Sequence, residues 1–142
     1  MPVFRTRRRV EFRDTDAAGI MHFSTFFLRM EESEHELLRA LGLSVWMPHG
    51  ETEGKLTWPR VSAQCDYRSA ARFEDELEIE VRVERLGDKS VTYGFRFMLG
   101  ERLVAEGRTT AVCCILHAGQ LPTSISIPTK IREKLSEFTV PV

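Results

Sequence analysis

The stretch "FSTFFLRMEESEHELLRALG" (Phe23 to Gly42) decides how the rest of the chain must fold. Phe23, Phe26, Phe27, Met30, Leu37, Leu38 and Leu41 recur three, four and seven positions apart. At about 100° per residue they fall in a stripe roughly 100° wide, which predicts one long amphipathic helix. Gly42 supplies the stop beyond its last turn, and Ser24 or the residues just before it cap the start. Glu34 interrupts the pattern by projecting near the centre of the apolar stripe. A buried carboxylate must find a partner or stay protonated. Glu34 is therefore expected to be structural, hydrogen-bonded to nearby backbone or across a subunit interface.

On both sides of the helix the apolar period becomes two. Ahead of it, Phe4, Thr6, Arg8, Val10 and Phe12 alternate with Arg5, Arg7, Arg9 and Glu11, which predicts a strand. Residues 44–58 mix Pro48, Gly50 and Gly54 with polar side chains and are expected to form a loop. Beyond Pro59 the alternating sets are Val61 to Tyr67, Leu77 to Val83 and Val91 to Leu99, followed by a long final strand from Leu103 to Ile115. "LGDKS" (Leu86 to Ser90) and "LGER" (Leu99 to Arg102) read as hairpin turns, with Gly and Asp where positive φ is needed. Pro122 and Pro128 bracket a tail, and Thr129 to Phe138 suit a short terminal helix. Each strand has one apolar face, and the long helix is the element able to cover it, so the sheet must curve around that helix. The expected class is α+β: a five-stranded antiparallel sheet wrapped around one long central helix, in a single domain spanning 1–142. One helix cannot cover such a sheet completely, and open edges invite pairing, so a homodimer or homotetramer is expected.

Composition narrows the function classes. Hydrophobic residues make up 42% and charged residues 29%, as in an ordinary globular protein, and the net charge of −1 supplies no global field for nucleic acid. The basic cluster "RTRRR" (Arg5 to Arg9) lies on the alternating strand and reads as its solvated face rather than a phosphate patch. No apolar run approaches the length of a membrane span, and the basic N-terminus lacks the apolar segment of a secretory signal. Cys65, Cys113 and Cys114 are odd in number, and two are adjacent, so reduced thiols and a cytoplasmic location are expected. No cysteine or histidine spacing supports a zinc site.

Between the first strand and the helix lies "FRDTDAAGIMHFSTFF" (Phe12 to Phe27), with two aspartates, a glycine and a histidine. This loop enters a helix N-terminus, where unpaired N–H groups and about half a positive charge favour anions and developing oxyanions. A carboxylate held there suits a nucleophile or general base. Gly19 lets the backbone turn sharply and a substrate approach closely. Donors and a carboxylate in one loop are the minimum equipment for attack on a carbonyl, although an aspartate before a helix also serves as a cap.

"DTDAAGIMHFSTFFLRMEE" (Asp14 to Glu32) resembles the loop-plus-helix signature of the hot-dog-fold acyl-CoA thioesterases. The likeness is to the 4-hydroxybenzoyl-CoA thioesterase family of the Pseudomonas type, which includes thioesterases associated with the Tol–Pal system. "YRSAARFEDELEIE" (Tyr67 to Glu80) and "GDKSVTYGFRF" (Gly87 to Phe97) extend the resemblance over most of the chain, fading after Cys114. It implies a hot-dog fold that hydrolyses an acyl-CoA to acid and free thiol, with no cofactor beyond the coenzyme A of the substrate. The second aspartate of the family's Asp-x-Asp-x-x-Gly loop, the catalytic carboxylate, falls on Asp16. Asp14 matches the first and is taken to shape the turn, and Gly19 matches the loop glycine. Phe23 falls where the family's helix begins and offers a backbone N–H to the thioester carbonyl. Some members carry histidine or tyrosine there, whereas this chain has His22 one position earlier. His22 is thus a candidate acid, base or water-positioner, or a residue packed beside the site. Lys89 matches a basic residue that pairs with coenzyme A phosphates, although an exposed turn lysine is the alternative, and Ser90 beside it is a further candidate. In family members the site lies between two subunits.

Other chemistries compete for the same residues. A metal site from Asp14, Asp16, His22, Glu31 and His35 is disfavoured because "EESEHE" reads as a solvated, ion-paired helix face. A phosphatase-like Asp-x-Asp nucleophile would need a buried parallel strand before it, and the strand here is Arg-rich. A module that binds acyl-CoA or a protein without hydrolysis, and a thioesterase acting on acyl-carrier protein, remain as alternatives. The acyl group is open between aromatic, short and long chains.

Overall fold

A computed structural model of the chain describes residues 3–50 and 53–139. Residues 51 and 52 of the expected loop, and both ends of the expected 1–142 domain, lie outside the described residues. The chain runs through β1 (Phe4–Arg9), a 3-10 turn (Phe12–Asp14) and α1 (Thr25–Ala40). There follow β2 (Met47–Pro48), β3 (Lys55–Thr57), β4 (Arg60–Tyr67), β5 (Glu76–Leu86), β6 (Ser90–Leu99) and β7 (Arg102–Val112). β8 (Cys114–Leu116), β9 (Thr123–Ser124) and α2 (Thr129–Ser136) complete it. Among the described residues no helix is long and apolar enough to cross a membrane.

Five strands form one antiparallel sheet in the order β1-β5-β6-β7-β4, with α1 on one face. The alternation of Leu77, Ile79, Val81 and Val83 puts all four side chains against that face, with Phe95, Phe97 and Val104 from β6 and β7. Phe26, Met30, Leu37 and Leu38 of α1 meet them, Phe26 edge-on to Phe97 at 5.1 Å. Met30 sits over Gly107, where any Cβ would overlap its thioether, so the absent side chain sets how closely helix and sheet approach. The opposite face carries charge: Arg5 pairs with Glu78 and Glu80, and Arg108 with Glu84 at 2.6 Å. The basic face of β1 is thus ion-paired across strands.

Several expectations need correction. The segment 44–58 is not all loop: β2 and β3 pair with β8 and β9 in a second sheet, ordered β2-β3-β8-β9. The expected strand from Leu103 to Ile115 breaks at Cys113, whose N–H leaves the ladder to donate to Lys89 O at 2.7 Å; its continuation β8 joins the second sheet. The long helix is not the sole cover, because α2 buries Ile131 and Leu135 and Phe138 meets Phe4 edge-on at 6.3 Å. Phe12, expected on the inner face of the first strand, is 78% exposed in the 3-10 turn. The hairpin at Gly87 and Asp88 uses no positive φ, whereas Gly100 does, at 62°.

The face of β4 expected to be covered is not: Val61 and Tyr67 are 63% and 45% exposed. β4 is the edge of the large sheet, paired with β7 alone. A bulge between Arg60 and Ser62 turns Arg60 toward α1. There Arg60 answers the question posed by Glu34, which is 1% exposed and accepts from Arg60 Nη1 at 2.6 Å. The partner is a side chain rather than the backbone, and it comes from an element 26 residues away.

Candidate active site

The 3-10 turn ends on Asp14, and the chain then folds into a tight hairpin before α1. Thr15 bridges Met21, Asp16 N–H donates to Ile20 O at 2.9 Å, and Gly19 closes the tip with φ at 80°. The hairpin is anchored on both sides. Met21 N–H donates to Ala71 O, and Asp14 O accepts from His22 N–H at 2.7 Å and from the Thr25 hydroxyl at 3.3 Å.

The two aspartates have separate environments. Asp14 is 4% exposed, and both its oxygens accept from Arg29 Nη2, at 2.8 and 2.9 Å. One also accepts the Glu11 N–H, so the carboxylate is fully engaged in bracing the loop against α1. Burial works against the Arg29 charge, but Asp14 and Glu32 outweigh it and hold its pKa above the usual value. Asp16 is half-buried. Its Oδ1 accepts the N–H groups of Ala18 at 2.8 Å and Ile20 at 3.4 Å, while Oδ2 has no hydrogen-bond partner among the described residues. One oxygen orients the group and the other is available.

The helix begins at Thr25; of the expected cap residues, Ser24 has helical φ and ψ with no capping hydrogen bond from its side chain. His22 caps instead: its Nδ1 accepts the Ser24 N–H at 3.1 Å and lies 2.8 Å from Ser24 Oγ. Accepting at Nδ1 leaves the ring proton on Nε2. The His22 ring stacks on Phe23 with centroids 4.5 Å apart. Phe23 is 63% exposed; its carbonyl accepts the Tyr67 hydroxyl at 2.9 Å, and its N–H has no acceptor among the described residues. Burial, with Cys65 adding to it, pushes the Tyr67 hydroxyl up to about 12, so it stays a donor at ordinary pH.

Against this junction opens a cleft of about 270 Å³, lined by Ile20, Met21, Phe23, Phe26, Tyr67 and Ala71 among others. It is an apolar recess beside an open N–H, two residues from a hairpin carrying an available carboxylate. Lys89 and Ser90 lie elsewhere. They follow the far end of β5, whose 11 residues span roughly 35 Å at about 3.3 Å each. The Asp16 loop is tied to its near end by Val10 N–H to Asp75 O. One chain brings together Asp16, Gly19, His22 and Phe23, but not Lys89 or Ser90. Sequence reasoning missed Tyr67 and Arg29. Arg29 was findable, since it lies three residues beyond Phe26 and one before Met30, on the buried side of the helix.

Residues 10–135 match the model of the thioesterase-like superfamily. A 1,4-dihydroxy-2-naphthoyl-CoA hydrolase of Synechococcus is 35% identical over 119 residues, 82% of this chain and 76% of the relative. A solved gentisyl-coenzyme A thioesterase superposes with a TM-score of 0.77 at 27% identity, covering 93% of this chain and 99% of the other. A 1,4-dihydroxy-2-naphthoyl-CoA thioesterase from Synechocystis reaches a TM-score of 0.82 over 96% and 97% of the two chains, at 22% identity, a likeness of fold. These relatives differ from the 4-hydroxybenzoyl-CoA subfamily anticipated from the sequence. Sheet, helix, loop and family model agree at a broader level: the chain belongs to the thioesterase-like superfamily.

Proposed function

We propose that this protein, a thioester hydrolase, cleaves an aryl-CoA thioester to the aryl carboxylate and free coenzyme A. The observation that carries the proposal is the open Phe23 N–H at the mouth of the apolar cleft, in the same loop as the available Oδ2 of Asp16. The thioester carbonyl oxygen takes the Phe23 N–H, supported by the helix terminus behind it. Asp16 Oδ2 then acts in one of two ways. It attacks the carbonyl carbon, the C–S bond breaks, and water cleaves the resulting anhydride. Alternatively it removes a proton from water, whose oxygen attacks while the thiolate leaves. The aromatic lining of Phe23, Phe26 and Tyr67 and the hydroxyaryl acyl groups in the relatives' names both favour an aryl substrate.

The separation of Lys89 from Asp16 favours a dimer built through β4. Tyr67 ends β4 beside the loop, whereas Arg60 starts it beside Val112 and the Lys89 turn. A twofold axis at this open edge pairs two β4 strands antiparallel and sets the Lys89 end of one subunit next to the Asp16 end of the other. Coenzyme A phosphates would then meet Lys89 and Ser90 from the opposite subunit.

Thiol release from a panel of acyl-CoAs tests the activity. Asp16→Asn is expected to lower kcat by about a thousandfold or more while leaving the fold intact. Release that survives the substitution removes Asp16 from the mechanism. In single turnover in ¹⁸O-water, label in the Asp16 carboxylate identifies the nucleophilic route, because it requires an anhydride opened at that carboxyl carbon.

A further inference from the structure

Glu34 and Arg60 form a buried ion pair that the hydrolytic mechanism leaves without a task. A pair of this kind seldom contributes net stability over apolar residues of the same volume, so its presence needs another reason. Glu34 is 1% exposed on the inner face of α1, while a quarter of the Arg60 side chain is exposed at the open β4 edge. The bulge at Val61 aims Arg60 onto the same face as Tyr67, which lines the cleft. Arg60 Nη2 also lies 3.5 Å from Glu31. Nearby on that face, Thr109 stands across from Ala63 and Tyr93, and its buried Oγ1 lacks a hydrogen-bond partner among the described residues.

When two β4 strands overlap antiparallel along their full length, Arg60 of one stands opposite Tyr67 of the other. Within one chain Arg60 is far from the cleft, because β4 separates it from Tyr67 by its full 8-residue length. Across the twofold axis it is a neighbour of the opposite cleft. We infer that Arg60, held by Glu34, closes the acyl cleft of the opposite subunit and hydrogen-bonds a hydroxyl on the ring of the acyl group. This rests on the aryl-CoA hydrolase and β4 dimer proposed above. The charge balance selects the class of substituent: Glu34 and Glu31 offset the Arg60 cation, so the cluster holds no surplus positive charge for a carboxylate. It offers N–H donors and carboxylate acceptors together, which suits a neutral phenol.

The ratio of kcat/KM for hydroxybenzoyl-CoA to that for benzoyl-CoA measures this role, with carboxybenzoyl-CoA as the charged control. Wild type is expected to favour the hydroxylated substrate and to disfavour the carboxylated one. Arg60→Met is expected to lower the hydroxyl preference by about tenfold to a hundredfold, the range of a hydrogen bond to a charged group. Because Arg60→Met leaves Glu34 bare, the double variant Glu34→Gln with Arg60→Met, checked by thermal denaturation, must show the same loss. Co-assembly supplies the decisive arm. A hybrid dimer of Asp16→Asn and Arg60→Met subunits contains one site with an intact Asp16 facing an intact Arg60. Mixing the two variants is therefore expected to restore the hydroxyl preference. An unmoved ratio in Arg60→Met, or no restoration on mixing, overturns the assignment while leaving hydrolysis standing. A wild type that releases no thiol from any acyl-CoA overturns both.

Discussion

Asp14 and Asp16 share a side chain and stand two positions apart, yet the fold gives them opposite occupations. One is buried and paired with Arg29. The other keeps an oxygen available in the hairpin whose Ile20 and Met21 line a cleft. Nothing local separates them; the distinction comes from Arg29, 15 residues downstream of Asp14. The motif marked both aspartates, and its resemblance pointed to Asp16, but the partner that immobilises Asp14 was invisible without knowing which helix face turns inward. Cys113 shows a further effect of burial at this scale. It is fully buried, and burial pushes its thiol up to about 11. The unfolded thiol titrates near its ordinary value of about 8.5. A folded value raised above the unfolded one contributes stability that is complete below the unfolded value and is lost as pH rises through the folded one. Stability should therefore fall from about pH 8.5 to about pH 11, and Cys113→Ala should flatten that fall in thermal melts across the range. Cys65, also pushed up by burial to about 11, leaves part of the slope in place.

At the scale of elements, the loop is braced to α1 chiefly by the Asp14–Arg29 pair, which joins the 3-10 turn to the second turn of the helix. Arg29→Met leaves Asp14 buried and unpaired, a loss of about 3–5 kcal/mol. Denaturant unfolding should report that loss, whereas Asp16→Asn should leave the midpoint nearly unchanged. The helix body was legible because Phe26, Met30, Leu37 and Leu38 obey a 3.6-residue period regardless of their surroundings. Its start was legible as a position, since the cap falls at Ser24 and the residues just before it; that the capping acceptor would be the His22 ring was not. Strands β5 and β6 were legible for the same reason as the helix, their strict alternation. β4 alternates equally well but sits at an edge, so its pattern foretold a strand and not its exposure. The short strands of the second sheet carry too few residues for any period to show.

For the whole molecule, that edge carries the proposed dimer. Ala63 lies near the middle of β4, where two copies would meet, so Ala63→Lys sets like charges across the axis and denies the edge its pairing. Light scattering should give twice the 16.3 kDa chain mass for wild type and a monomer for the variant, with hydrolysis lost alongside dimerisation. A monomer in wild type, or an active monomeric variant, would remove the two-subunit site. The amino-acid sequence by itself determined the local periods, and so the long helix, the antiparallel strands and the loop that carries Asp16. These features depend on residues a few positions apart. Only the tertiary structure decided which charged groups pair, where β7 gives way to β8, and that Lys89 and Asp16 occupy opposite ends of one sheet. Those outcomes depend on distances between segments far apart in the chain, and such distances exist only once the sheet has closed around the helix.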